Sequence, residues 1–284
     1  MVTNTDLKLK TKEFENQYNL SHYEVLQRFM FERILERISV SNYRENFILK
    51  GGLLLSVMFG INNRTTKDMD TTITGIDISK DKMIKVLNEV LSINLCDGIK
   101  FDVVSITDIR EEDQYGGNKY HVVGKMDNLK INVEIDISTG DKVTPRELNF
   151  KYPLMFEDRY IYINTYNIET ILSEKLETVL RRGKFNSRMK DYYDIYYFLS
   201  YCKENIDMEV LKCAINNTFK KRESFVYLND CQEILNSIYS SERMNKQWIA
   251  YSNKYNYAKD IKFEQILDLL KILLENLELE VIAI

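Results

Sequence analysis

Residues 47–75 read FILKGGLLLSVMFGINNRTTKDMDTTITG, and the fold turns on this stretch. Lys50-Gly51-Gly52 stands directly before a short apolar run that predicts a helix ending at Gly60, a residue suited to closing a helix. The polar residues Asn62 to Lys67 predict a loop. DMDTTITG then alternates apolar residues with threonines and carboxylates and stops at Gly75, which predicts a strand. Alternation sends Asp68 and Asp70 to one face, where two carboxylates can hold Mg²⁺, a hard cation that prefers oxygen ligands. A Gly-Gly turn opening a helix lets a phosphate approach its backbone N–H groups. Phosphate cradle and metal ligands would then meet. Taken singly, D-x-D is also how a solvated strand end looks, and Gly51-Gly52 how a tight loop looks.

A metal site needs a third carboxylate from another strand. In KINVEIDIS, Ile131, Val133, Ile135 and Ile137 share one face while Asn132, Glu134 and Asp136 share the other. Asp136 is the first candidate, Glu134 the reserve, and Asp102 in KFDVV a further one.

Outward from this centre, residues 21–38 carry apolar side chains at helical spacing, with Ser21 as N-cap. Residues 79–95 predict another helix. IKFDVVSI, KYHVVGKM and LKINVEIDIS predict three strands, the last two joined by a short turn at Asp127-Asn128. Residues 50–140 therefore predict a mixed sheet covered by helices. Beyond Thr165 helices follow one another almost without interruption, over 168–182, 188–201, 207–220, 229–240 and 262–280. A boundary near 160 divides the chain into a core with N-terminal helices, 1–160, and a helical domain, 161–284, that completes the active site. The segment 141–163, with both prolines and two aromatic runs, bridges them.

Composition narrows the chemistry. The 284 residues carry 39 Lys+Arg against 43 Asp+Glu, a net charge of -4, so any polyanion contact must be local. Apolar residues make up 44%, enough for a sizeable core and against disorder. Only His22 and His121 are present, which argues against a His-based zinc site or a catalytic triad. Four widely spaced cysteines suggest no disulfide framework. No apolar run of about 18 residues appears, and the expectation is a soluble cytoplasmic protein.

The helical half holds an anomaly. Lys175 falls inside the apolar stripe formed by Ile168, Ile171, Leu172, Leu176, Val179 and Leu180. A cation there must snorkel to solvent or meet an anion, for which a triphosphate is one candidate. In the next helix, Asp191 and Asp194 flank a stripe that includes Arg188; they either pair internally with Arg188 or position an acceptor. Arg181, Arg182, Lys184, Arg188 and Lys190 form a basic run with no acidic residue between Glu177 and Asp191. It is either a solvated loop or a grip on a polynucleotide backbone. Lys220, Lys221 and Arg222 form a weaker second patch.

Together, K-G-G, R-T-T-K-D-M-D, I-E-T-I-L-S-E-K-L-E-T and S-R-M-K-D-Y-Y-D-I-Y, in order over residues 50–197, resemble the AbiEii toxins of abortive-infection systems, partners of AbiEi antitoxins. The resemblance implies an α+β fold with a polymerase-beta-like nucleotidyltransferase core, a C-terminal helical half, and binding of NTP and Mg²⁺ or Mn²⁺. Some relatives add nucleotides to the tRNA 3′ end and block translation, a phage-defence role. By residue, Gly51 and Gly52 match the glycine motif, Asp68 and Asp70 the metal pair, Lys175 the motif lysine, and Asp191 or Asp194 the downstream aspartate. A small hydroxyl residue often follows the first glycine, where this chain has Gly52. Phosphate gripping would then fall to backbone groups, Ser56 or Lys50. The expected reaction is transfer of a nucleoside monophosphate to an RNA acceptor, the basic run seating the RNA. The rival readings are transfer to a protein or small molecule, and non-catalytic NTP binding.

Overall fold

The computed structural model describes residues 4–76, 79–109, 117–139 and 142–277. The chain forms two compact units, Met1–Gly140 with Glu147–Tyr166, and Asp141–Arg146 with Asn167–Ile284.

The first unit contains α1 (Asn4–Tyr18), α2 (His22–Ser39), β1 (Phe47–Lys50), α3 (Gly51–Met58), β2 (Asp68–Ile73), α4 (Lys80–Leu91), β3 (Lys100–Asp108), β4 (Gly117–Met126), β5 (Leu129–Ser138), β6 (Leu148–Pro153) and β7 (Tyr160–Thr165). The strands form one seven-stranded mixed sheet in the order β3-β4-β5-β2-β1-β7-β6. β2, bearing D-x-D, is the middle strand, antiparallel to β1 and parallel to β5. The register sets Asp70 against both Lys50 and Asp136, and Asp68 against Glu134. Alternation holds along β5: Ile131, Val133, Ile135 and Ile137 are buried on one face.

α2 packs on this sheet because its apolar stripe is properly started. Ser21 and Glu24 form a reciprocal capping box that satisfies helix-end N–H groups. Val25, Leu26, Phe29, Met30, Ile34, Leu35 and Ile38 are buried, as the spacing predicts. Its charged residues are buried in pairs, Arg37 gripping Asp97 with two 2.8 Å hydrogen bonds.

Residues 148–165 differ from expectation. They do not bridge two domains but form the antiparallel β6–β7 hairpin, joined to β1 through β7. Tyr152, Ile161 and Ile163 point inward while Tyr160 and Tyr162 are exposed, a period-2 pattern within the aromatic runs. Pro153 is tolerated because β6 lies at the sheet edge. Of the expected bridge, 142–146 packs with the helices, where Thr144 N–H donates to Thr170 Oγ1 at 3.0 Å.

The second unit contains α5 (Ile168–Arg182), α6 (Met189–Tyr201), α7 (Met208–Lys221), α8 (Phe225–Asn229), α9 (Cys231–Tyr239), α10 (Glu242–Lys254) and α11 (Phe263–Asn276). Its core includes Leu172, Leu176, Val179, Tyr192, Phe198, Ile215, Phe219, Trp248, Ile266 and Leu270. Asn167 caps α5 by accepting the Thr170 N–H at 2.9 Å. The class is therefore α+β, as expected: a mixed sheet flanked by helices, followed by a helical half. No helix among the described residues is long and apolar enough to cross a membrane.

Candidate active site

The sheet brings three carboxylates together. Asp68 and Asp70 on β2 and Asp136 on β5 each offer an oxygen, all within 4.8 Å of one another. Two neighbours fix the β2 pair: Thr66 Oγ1 donates to Asp68 Oδ1 at 2.6 Å, and Gly52 N–H donates to Asp70 Oδ2 at 3.3 Å. Close approach explains both glycines. A Cβ on Gly51 would lie 1.9 Å from Asp70 Oδ2, and one on Gly52 would lie 2.4 Å from Thr66 Oγ1. The glycines thus admit the protein's own Asp70 and Thr66. The space a hydroxyl side chain at 52 would take is filled by the Thr66 hydroxyl.

Mutual repulsion among the carboxylates shows at Asp136. The Asp136 pKa is pushed up to about 6, first by burial and then by Asp70 and, more weakly, Asp68, against the opposing pull of Lys119. Lys119 on β4 reaches Glu134 Oε2 at 2.7 Å and Asp136 Oδ1 at 3.1 Å. Burial alone would lower the Lys119 pKa; the two carboxylates outweigh it and push it up to about 12. Asp136 Oδ1 is buried and accepts no aligned hydrogen bond, the Lys119 contact lying off axis. A buried, under-satisfied carboxylate oxygen beside two more carboxylates fits a hard divalent cation such as Mg²⁺ or Mn²⁺.

The three candidates for third carboxylate now separate. Glu134 belongs to a chain with Lys119 and, at 3.6 Å, His121. Asp102 pairs with Lys125 at 2.6 Å on β3 and is outside the cluster. Lys119 was not among the sequence candidates. Its signal was in the hairpin register: counting back from the Asp127-Asn128 turn sets Lys119 opposite Asp136.

Of the proposed phosphate ligands, Lys50 ends β1 with Nζ 5.3 Å from the centre of the Tyr166 ring. Ser56 requires correction. It is fully buried, its hydroxyl donating to Leu53 O and accepting from Arg28 Nη1, both at 2.7 Å, so no phosphate can reach it.

In the helical unit, Lys175 meets an anion, but a protein one. Its Nζ lies 2.8 Å from Asp191 Oδ1 and 2.7 Å from Asp194 Oδ2, and its side chain is only 13% exposed. Arg188 Nε binds the other Asp191 oxygen at 2.8 Å. Burial favours a neutral Asp191, yet Lys175 and Arg188 outweigh it and hold the carboxyl well below the usual range. Lys175 therefore neither snorkels nor requires a triphosphate to offset its burial; two buried aspartates from α6 do that. The basic run is likewise partly engaged. Arg181 binds the buried Glu177 at 2.8 Å, and Arg222 binds the same carboxylate at 2.7 Å. Arg182 and Lys190 are half-buried, and Lys184 is exposed beside Phe185.

Two solved structures share the fold. A protein from H. pylori described provisionally as a nucleotidyltransferase is 13% identical, with a TM-score of 0.50, covering 91% of this chain and 96% of its own. JHP933 from Helicobacter pylori is 12% identical, with a TM-score of 0.52, covering 91% of this chain and 93% of its own. No curated protein sequence matches significantly. The family described as "Nucleotidyl transferase AbiEii toxin, Type IV TA system" matches residues 33–269, which include every residue of the carboxylate cluster and of the Lys175 pair of aspartates. The chain belongs to the AbiEii nucleotidyl transferase toxin family of type IV toxin–antitoxin systems.

Proposed function

We propose that the chain transfers a nucleoside monophosphate from an NTP to an RNA acceptor, the tRNA 3′ end, and so inhibits growth. The convergence of Asp68, Asp70 and Asp136 within 4.8 Å beside Gly51-Gly52 carries this reading. Asp68, Asp70 and Asp136 would hold Mg²⁺ or Mn²⁺ through their oxygens. Once bound, such an ion would supply charge neutralisation for transfer of the nucleotidyl group to an acceptor hydroxyl with pyrophosphate leaving, a chemistry that needs no histidine. Thr66 and the Gly52 N–H orient Asp68 and Asp70, and Lys50 adds positive charge at the end of β1. Asp191 and Asp194 fix the motif lysine, Lys175, in one position. Arg182, Lys184 and Lys190, with Arg181 and Arg188, offer the RNA backbone positive charge. The reaction belongs in the cytoplasm, where NTP and tRNA are found, and a cognate AbiEi-type antitoxin restrains it.

One observation favours the second reading, transfer to a protein or small molecule: Arg181 and Arg188 already serve Glu177 and Asp191, which thins the polynucleotide grip. Incubation of purified protein with each α-labelled NTP, Mg²⁺ and total cellular RNA separates the readings. Label on RNA of tRNA length is the expected result, and label on protein would transfer support to the second reading. No pyrophosphate from any NTP would leave only NTP binding.

A further inference from the structure

The Lys119 ammonium is shared between two carboxylates of unlike standing. Asp136 belongs to the three-carboxylate cluster and Glu134 does not. The contact to Glu134 is an aligned hydrogen bond of 2.7 Å, whereas that to Asp136 Oδ1, at 3.1 Å, lies off the hydrogen-bond direction. On its other side Glu134 lies 3.6 Å from His121 Nδ1, and His121 Nε2 meets Thr107 Oγ1 at 3.2 Å. Asp136, Lys119, Glu134, His121 and Thr107 thus form one polar chain across β5, β4 and β3. The contact at the Glu134 end is the shorter, 2.7 Å against 3.1 Å at the Asp136 end.

We propose that Lys119 is a built-in counter-cation of Asp136, competing with the divalent metal for that carboxylate and retreating onto Glu134 when the metal binds. The proposal rests on the reading of Asp68, Asp70 and Asp136 as metal ligands. Without metal, three carboxylates within 4.8 Å repel one another, and an ammonium beside one of them offsets part of that repulsion. Once a divalent ion takes the same oxygen, the ammonium becomes the repelling charge. Lys119 therefore lowers affinity for the bare ion while keeping the ligands in place, and Glu134 sets how readily it yields. Lys119 is a positioning residue: it acts through Asp136.

The two partners of Lys119 should move metal affinity in opposite directions, which a structural role alone does not produce. Mn²⁺ is titrated calorimetrically into the full chain without nucleotide, with thermal melting as a check on folding. Lys119→Met should tighten Mn²⁺ binding roughly tenfold at low salt, the scale of one charge acting on a divalent ion a few ångströms away in a wet site. In 0.5 M salt the gain should shrink. Lys119→Arg should stay near wild type. Glu134→Gln should weaken binding several-fold, because Lys119 then has Asp136 as its remaining anchor. If Lys119→Met folds and binds Mn²⁺ no more tightly than wild type, or Glu134→Gln binds it as well or better, the counter-cation role is refuted while the metal site stands. If Asp70→Asn binds Mn²⁺ as wild type does, the metal reading fails, and this inference with it.

Discussion

Gly51 has φ +67°, and a Cβ there would lie 1.9 Å from Asp70 Oδ2. An alanine at this position faces backbone strain of about 1 kcal/mol and must also displace a proposed metal ligand. Gly51→Ala should therefore lower nucleotide transfer at least tenfold with a small loss of stability, checked by single-turnover labelling beside denaturant melts. Lys175 calls for a different expectation. Asp194 is 0% exposed and Asp191 nearly so, hence Lys175→Met leaves two buried carboxylates short of their cation. Breaking such a group costs about 3–5 kcal/mol, so the variant should melt early whatever its role in transfer. Adding Asp191→Asn and Asp194→Asn should recover most of that stability, read by thermal melting; activity that stays absent in the folded triple variant assigns the Lys175–Asp191–Asp194 group as a whole, rather than folding alone, to the reaction. Residues on strands were the legible ones. Alternation put Asp68 and Asp70 on one face and Asp136 on the same face as Glu134, leaving the third carboxylate open, whereas the partners of Lys175 depend on how α5 packs against α6, which no local pattern encodes.

At the scale of elements, α2 shows what its apolar stripe conceals. Glu32 is buried in that helix, accepts the Met155 N–H at 2.9 Å, and has its pKa raised to about 7 by burial against the pull of Arg28. A raised carboxyl contributes its full stability below its unfolded value near 4.5 and loses it as pH rises through 7. Glu32→Gln removes that dependence. Its stability relative to wild type should rise by about 2–3 kcal/mol between pH 5 and pH 8, measured by urea unfolding. A difference independent of pH would mean that Glu32 is ionised in the folded chain throughout. Elements with clear periodicity and turn chemistry were readable: α2 with its Ser21 cap, and the β4–β5 hairpin at Asp127-Asn128. β1 was not, because FIL is a three-residue buried run without alternation, abutting the glycines of α3. Nor was the β6–β7 hairpin, whose aromatic alternation was masked by two prolines, one at its edge and one just before it. α1 and α10 are largely polar; among the described residues Leu7 and Thr11 are buried in α1 and Met244, Trp248 and Ser252 in α10, at i, i+4 spacing but with a hydroxyl residue in each row, so the apolar signal is weak.

For the whole molecule, the net charge of -4 hides an uneven arrangement. The sheet unit gathers carboxylates at one point, and the helical unit gathers cations but neutralises several of them itself. Arg181→Glu should therefore destabilise the helical unit by setting a like charge beside the buried Glu177. Lys184→Glu, at an exposed position, should leave melting unchanged and reduce transfer to RNA several-fold with NTP binding retained. Equal effects on NTP and RNA would argue against a separate RNA grip. Family membership was legible because its four motifs lie on contiguous stretches. The division of labour among the cations was not, since each ion pair is a tertiary contact.

In the proposed function Asp68, Asp70 and Asp136 are the centre of a metal-dependent nucleotidyl transfer. Its most direct test compares wild type with Asp70→Asn for label transferred from α-labelled NTP in Mg²⁺, with thermal melting confirming that both are folded. Wild type should transfer label, and the variant should lose at least about a hundredfold, the scale of removing one essential electrostatic group from an active site. Equal transfer by both folded proteins would contradict it.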